Sequence, residues 1–192
     1  LYKGHLNPMQ IPKIEADVMT ISHNHEDHTD GVKDITGDPK VMQPEDINKT
    51  IKVGDVEITG YTSKHVANMG DNTIFVYKEN GLKIVHMGET DNIDSKEAQE
   101  VVKDADVILA YAGEYGTVKN KESFETLYKM NIKVLIPQHY SMDANNIFYG
   151  EPTINKILTE LPEGTETSTT NEFIVTKGLK KQFVAMTHME TK

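Results

Sequence analysis

Three observations in the sequence predict a mixed α+β chain, with two sheets packed face to face and helices outside. The first half reads as β-hairpins, the second alternates helical and strand periods, and several apolar strands end in histidine or acidic residues. Strand ends of that kind gather polar groups along one edge of a sandwich. No internal repeat or low-complexity linker divides the 192 residues, so a single domain over 1–192 is expected, large enough to bury a core without staples.

Taken in order, residues 1–16, with Gly4, Pro8 and Pro12, read as an irregular lead-in. Residues 16–22 carry the apolar, β-branched run Val18-Met19-Thr20-Ile21 and read as a buried strand delivering His23 at its end. A short helical turn past Gly31, a strand at 40–42 after the Asp38-Pro39 turn, and a helical turn opening at Pro44 follow. Residues 51–53 and 56–62 flank Gly54-Asp55 as a hairpin, with Val56, Ile58 and Gly60 alternating against Glu57, Thr59 and Tyr61. Residues 73–77 and 83–87 form a second hairpin around Asn80-Gly81, a pair suited to positive φ. Beyond it, helices are predicted over 95–102, 121–130 and from Glu151-Pro152 to Leu161, where the proline suits a first helical turn. Strands are predicted at 106–110, 132–136, 172–176 and 182–186.

Composition narrows the chemistry. The chain has no cysteine, which excludes disulfides, thiolate ligands and a cysteine nucleophile, so any metal must be held by nitrogen and oxygen. That donor set suits zinc, manganese or iron. A formal charge of −10 disfavours nucleic-acid partners, which require a basic footprint. All 20 basic residues are lysine, so there is no guanidinium fork for a phosphate or carboxylate, although lysine or a metal could serve. No apolar stretch approaches the roughly 20 residues that span a bilayer, and no basic-then-apolar leader is visible. A soluble, cytoplasmic protein acting on a small molecule, with no membrane partner, is the expectation; a homo-oligomer is compatible with it.

The chemistry concentrates in His23-Asn24-His25-Glu26-Asp27-His28. In an extended or turning segment alternate side chains point the same way, so His23 and His25 can close on one metal while Asp27 and His28 turn to a second. Three further groups follow apolar strands at comparable positions: His65, the Glu89/Asp91 pair, and His139. Assigning His23, His25 and His65 to one ion, and Asp27, His28 and His139 to the other, leaves one carboxylate to bridge them, for which Glu89 is the candidate. A bridging carboxylate offsets the repulsion of two cations and fixes their spacing. The expected cofactor is therefore two divalent ions, zinc first, with manganese or iron as alternatives, and the implied chemistry is metal-assisted hydrolysis. Asp27 and His28 are the candidate catalytic residues. His86, Asp91 and Tyr140 are candidates for orienting the ligands from outside. His5 and His188 read as solvated, and Asp143, Asn145 and Asn146 either line the mouth of the site or simply form a polar loop.

These residues resemble the metallo-β-lactamase superfamily of metal-dependent hydrolases. Ala16-Asp17-Val18 leading to Ser22-His23, then His86-Met87-Gly88-Glu89, and Ile136-Pro137-Gln138-His139-Tyr140 are similar to the small prokaryotic branch related to L-ascorbate-6-phosphate lactonase-like proteins. The resemblance covers most of the chain and implies a four-layer αββα sandwich with a dinuclear site, usually zinc or manganese. Three departures carry consequences. Gly88-Glu89 stands where that family usually has Gly-Asp, and the extra methylene bears on the metal spacing. Only about twenty residues precede the histidine motif, where the family normally has a pair of strands and a supporting aspartate, so the first sheet is expected to lack two strands or the chain to be truncated. The missing cysteine separates the chain from the antibiotic-hydrolysing enzymes, and His25 separates it from the diiron flavoproteins, which have glutamate there.

The leading expectation is hydrolysis of an ester, lactone, amide or phosphoester through two ions. A non-catalytic metal-binding protein of the same fold, and a mononuclear iron oxidoreductase, are the alternatives. Elemental analysis separates one iron from two metals. The substrate is not readable from a fold this permissive.

Overall fold

The computed structural model describes residues 14–90, 93, 95–113, 119–142 and 151–187, the side chains of Asp27 and Asp30 excepted. Its described part opens with β1 (Ile14–Glu15), β2 (Val18–Thr20), α1 (Glu26–Thr29), a 3-10 turn over Asp30–Asp34, β3 (Ile35–Thr36) and β4 (Lys40–Met42). An antiparallel meander follows: β5 (Thr50–Val53), β6 (Val56–Lys64), β7 (Asp71–Glu79) and β8 (Leu82–His86). Then come α2 (Lys96–Val102), β9 (Val107–Tyr111), α3 (Asn120–Lys129), β10 (Val134–Gln138), α4 (Ile154–Thr159), β11 (Glu166–Thr170) and β12 (Gln182–Met186). The eight strands β5 to β12 form one sheet in the order β11-β12-β10-β9-β8-β7-β6-β5, while β2 pairs with β4, and β1 with β3, as two-stranded sheets.

Strand direction decides where the site lies. β8, β9, β10 and β12 are mutually parallel, joined by helical crossovers, and β6 runs the same way because two antiparallel pairings separate it from β8. The C-terminal ends of β6, β8, β9 and β10 therefore share one edge of the sheet, and His65, Glu89 and His139 follow three of those ends.

A row of apolar side chains runs across the five adjacent strands from β7 to β12. Val76 pairs with Val85, Val85 with Ile108, Ile108 with Leu135, and Leu135 with Phe183, and all five belong to the main core. Helices cover that face through Ala98 and Val102 of α2, Phe124, Leu127 and Tyr128 of α3, and Ile154 and Ile157 of α4. Because successive strand residues face opposite sides, Val107, Val134 and Val184 lie on the other face, covered by Phe173, Val175 and Leu179. On the meander, Ile58 and Phe75 pack against Met42 of β4, so the small β2-β4 sheet is the layer facing it. This is the expected α+β sandwich, its hairpin and parallel halves continuous through the β8-β9 pairing.

Local departures from the sequence reading have identifiable causes. The helical turn expected past Gly31 is the 3-10 turn over Asp30–Asp34, with the unanticipated α1 at Glu26–Thr29 before it, and residues 44–46 close a turn through Asp46 N–H to the Gln43 carbonyl (2.9 Å) without a helix. The last helix starts at Ile154, capped by the Thr153 hydroxyl on Lys156 N–H (3.3 Å), because the Pro152 carbonyl is taken by Ser141 N–H (2.9 Å). Residues 172–176 form no strand: Phe173 and Val175 serve as a lid on the valine face. The strand beside β12 is instead Glu166–Thr170, a polar run whose threonines suit an exposed sheet edge.

Candidate metal centre

His23 is delivered by the loop after β2, where the Ser22 carbonyl accepts from Thr73 N–H (2.8 Å) and ties the loop to β7. The chain then turns into α1, closed by His28 N–H on the His25 carbonyl (3.0 Å), which brings His28 back over His23 with ring centroids 4.0 Å apart. His65 follows β6 in extended conformation, and Ala67 and Asn68, at φ 55° and 56°, reverse the chain so that His65 N–H reaches the Gly70 carbonyl (3.1 Å). Val66 N–H donates to the Glu89 carbonyl (2.9 Å), locking the β6 end to the β8 end.

Gly88 makes that second loop possible. Its φ is +57°, and a Cβ there would lie 2.3 Å from Asn72 Oδ1 and 2.8 Å from Ser22 Cβ. Asn72, 1% exposed, then fixes Glu89 from behind: its Oδ1 accepts from Glu89 N–H (3.1 Å), while its Nδ2 donates to Ser63 Oγ (2.7 Å), the Met87 carbonyl (2.8 Å) and Thr90 Oγ1 (3.0 Å).

The Glu89 carboxylate lies between two groups of histidines. Its Oε1 is 2.6 Å from His28 Nε2 and 2.9 Å from His139 Nε2, and its Oε2 is 3.3 Å from His65 Nε2. His23 Nε2 is 3.7 Å from Oε1. Around His23 stand the rings of His25 at 4.7 Å and His65 at 4.5 Å, while His28 and His139 stack at 5.7 Å with 13° between planes. The ligand-capable atoms of His23, His25 and His65, and those of His23, His28 and Glu89, each converge within 4.8 Å.

These donors fit a cation. His65 Nδ1 donates to the Val66 carbonyl (2.8 Å), which leaves Nε2 with a bare lone pair. His23 Nδ1 meets Ser22 Oγ at 3.0 Å. Both Nε2 atoms are buried and without a hydrogen-bond partner, an arrangement that is costly unless something electropositive meets them. Burial, then the neighbouring His28, hold His23 down at about 3, so it stays neutral and ligand-competent. Burial alone would raise Glu89, but hydrogen bonds from His139 and His28 outweigh it and keep the carboxylate ionised far into acid. For His139 burial would lower the pKa, and the hydrogen bonds to Glu151 and Glu89 instead hold it up at about 10.

Six of the seven residues expected as metal ligands therefore meet in one place: His23, His25, His28, His65, Glu89 and His139. The side chain of the seventh, Asp27, lies outside the described residues, as do Asp91, His5, Asp143, Asn145, Asn146 and His188. His86 accepts from Gly88 N–H at Nδ1 (3.1 Å), and its Nε2 stands 3.2 Å from the Gln138 amide nitrogen; burial lowers it to about 4. It thus braces the Glu89 loop. The Tyr140 hydroxyl donates to the Met186 carbonyl, which ties the segment after β10 to β12. Sequence reasoning missed Asn72 and Glu151, whose Oε1 is 3.1 Å from His139 Nδ1. An asparagine opening a strand was a signal for the first, since that residue is depleted in strands; the second had none. Beside His23 and His25 opens a cleft of about 610 Å³ bounded by Pro44, Ile47, Met69 and Asn72. No helix among the described residues is long and apolar enough to cross a membrane.

Comparison with known proteins places this geometry. Residues 4–139 match the family described as the β-lactamase superfamily domain. A candidate Zn-dependent hydrolase of the metallo-β-lactamase superfamily from Thermotoga maritima is 27% identical, over 94% of this chain and 87% of that one, with a TM-score of 0.71. A candidate metal-dependent hydrolase from Parabacteroides distasonis (16% identity, 88% and 76% covered, TM-score 0.58) and a metallo hydrolase from Ignicoccus hospitalis (17%, 76% and 71%, 0.56) share the fold. No curated protein matches. With the sheet order, the strand-end histidines and the family match in agreement, the chain belongs to the metallo-β-lactamase superfamily of metal-dependent hydrolase folds.

Proposed function

We propose that this protein is a metal-dependent hydrolase with a dinuclear centre, acting on an ester, lactone, amide or phosphoester of a small molecule. The observation that carries the reading is the Glu89 carboxylate, with one oxygen directed at His28 and His139 and the other at His65. His23, His25 and His65 would hold one ion, His28 and His139 with Asp27 the other, and Glu89 would span them. Bound there, two divalent cations, zinc first, would supply Lewis acidity and lower the pKa of water towards neutrality. The protein's own contribution is positional. Asn72 and the Gly88 turn hold the Glu89 backbone, the Val66 carbonyl fixes the tautomer of His65, and the cleft beside His23 and His25 admits the substrate between apolar Pro44, Ile47 and Met69. Asp27 and His28, on the second position, are assigned to the reacting end.

Elemental analysis of gently purified protein, with a panel of ester, lactone and phosphodiester substrates, tests this. Two ions per chain and saturable hydrolysis abolished by chelator and restored by metal are expected. His65→Ala should lose one ion, and Glu89→Ala should weaken both. Two ions retained by both variants, or hydrolysis that survives chelation, would overturn the proposal.

A further inference from the structure

The geometry points to Glu151 as a positioning residue for the second metal position, acting through His139. This rests on the reading of His139 as a ligand. In the sequence Glu151 stands next to a proline and reads as the opening of a helix; in the fold it precedes the helix, which starts at Ile154, and is held beside the site. A backbone clip keeps it there: Ser141 N–H donates to the Pro152 carbonyl (2.9 Å), Ile154 N–H donates to the Ser141 carbonyl (2.8 Å), and Ser141 and Thr153 form a parallel bridge. The clip joins the segment carrying Glu151 to the segment carrying His139, two residues before Ser141.

The consequence is an asymmetry between the two groups of histidines. His65 Nδ1 is backed by the carbonyl of Val66 and His23 Nδ1 by the hydroxyl of Ser22, neutral groups supplied by their sequence neighbours. Of these three rings only His139 is backed by a charge, the Glu151 carboxylate, whose side chain is 18% exposed, brought from another part of the chain. A carboxylate on Nδ1 holds a proton there, so Nε2, which faces Glu89 in the site, is the nitrogen that gives up its proton to a cation, and the ring becomes a stronger donor to it. It also holds a ring whose backbone needs holding, since His139 sits at φ +59°, a left-handed conformation that non-glycine residues rarely adopt. Glu151 adds a negative charge to the second position alone, so its removal should weaken one ion and leave the other.

The test uses the full chain, stripped and then titrated with Zn²⁺ and with Mn²⁺ against a chelator of known affinity. Glu151→Gln, which keeps shape and a hydrogen-bonding oxygen but not the charge, should weaken the second ion by about 10–100-fold and leave the first at its original affinity. Glu151→Asp, which keeps the charge, should recover part of the loss. Imidazole ¹⁵N and ¹H spectra of the zinc-loaded protein should show the His139 Nδ1–H in a strong, deshielded hydrogen bond, and that resonance should move towards the value of a neutral hydrogen bond in Glu151→Gln. His139→Ala provides the reference and should lose the second ion. Equal weakening of both ions, or no weakening of either, in Glu151→Gln overturns the inference while His139 stands as a ligand. Retention of both ions by His139→Ala overturns the ligand reading, and the inference with it.

Discussion

Replacing Asn72 with alanine should cost both stability and metal affinity, and by amounts that can be worked out from its partners. The side chain is buried and serves four groups, but they do not suffer equally. The Met87 carbonyl keeps a bond from Thr90 Oγ1 (2.6 Å), and Ser63 Oγ keeps Thr90 Oγ1 (3.1 Å) and the carbonyl of residue 72 (3.2 Å). Glu89 N–H, in contrast, loses its acceptor. One orphaned buried donor costs about 1–3 kcal/mol, and with the packing lost a total of about 2–3 kcal/mol is expected. At this chain length that lowers Tm by about 5–10 °C. Urea unfolding of metal-free protein, compared at constant m value, measures it. The same orphaned N–H belongs to Glu89, the residue proposed to span two metal positions, so affinity for metal should fall by about 10–100-fold. Asn72→Asp sharpens the test: it keeps an acceptor for Glu89 N–H but turns a carboxylate on the Met87 carbonyl, and should be at least as destabilising as alanine. A loss below about 0.5 kcal/mol in Asn72→Ala with unchanged metal affinity would refute the reasoning, because such a change is within the range of ordinary surface substitutions.

Gly88→Ala should lower metal content more than it lowers stability, since the added Cβ meets Asn72 Oδ1 and Ser22 Cβ in a left-handed turn and must displace the Glu89 loop; unchanged metal stoichiometry would contradict this. Leu135→Ala removes a fully buried side chain from the centre of the apolar row and should cost about 2–5 kcal/mol in urea unfolding, with the site's metal content unchanged at low temperature. Metal-free protein should be most stable near pH 6.5. Below it, His23 and His86, held at about 3 and about 4, take up protons in the unfolded chain but not in the folded one, so stability falls as pH drops. The depressed Glu89 adds to this, its contribution being present above its ordinary pKa of 4.5 and lost as pH falls through the folded value. Above pH 6.5 the contribution of His139, raised to about 10, is lost progressively as pH rises through that value. Urea midpoints rising monotonically from pH 4.5 to pH 9 would contradict the assignment.

Much of the architecture was legible before any coordinates because it is local. Period-two alternation in 56–61, the Asn80-Gly81 turn before 83–87 and the helical spacing in 121–130 each specify their element within a few residues, and β4 lies at Lys40–Met42 as expected. The misses share a cause. The apolar run at 172–176 has strand composition, yet the strand position beside β12 is occupied by the polar residues Glu166–Thr170; an edge needs backbone partners more than apolar side chains, and Phe173 and Val175 are better used covering the valine face. Pro152 suits a first helical turn, yet its carbonyl is engaged by Ser141, some ten residues earlier in the chain.

The same division runs through the site. The type of chemistry was written in six consecutive residues, because four ligand-type side chains in one loop need no long-range folding to be adjacent. His65, Glu89 and His139 could be anticipated because each follows an apolar strand, and parallel strands deliver their ends to one edge. The sequence by itself thus determined which donors exist and that they converge. Only the tertiary structure decided how they are held: that Asn72, 17 residues before Glu89, orders its backbone, that the carboxylate divides its two oxygens between separate histidines, and that Glu151 backs His139. Those contacts join residues distant in the chain through single hydrogen bonds, and a hydrogen bond leaves no period or motif in a sequence.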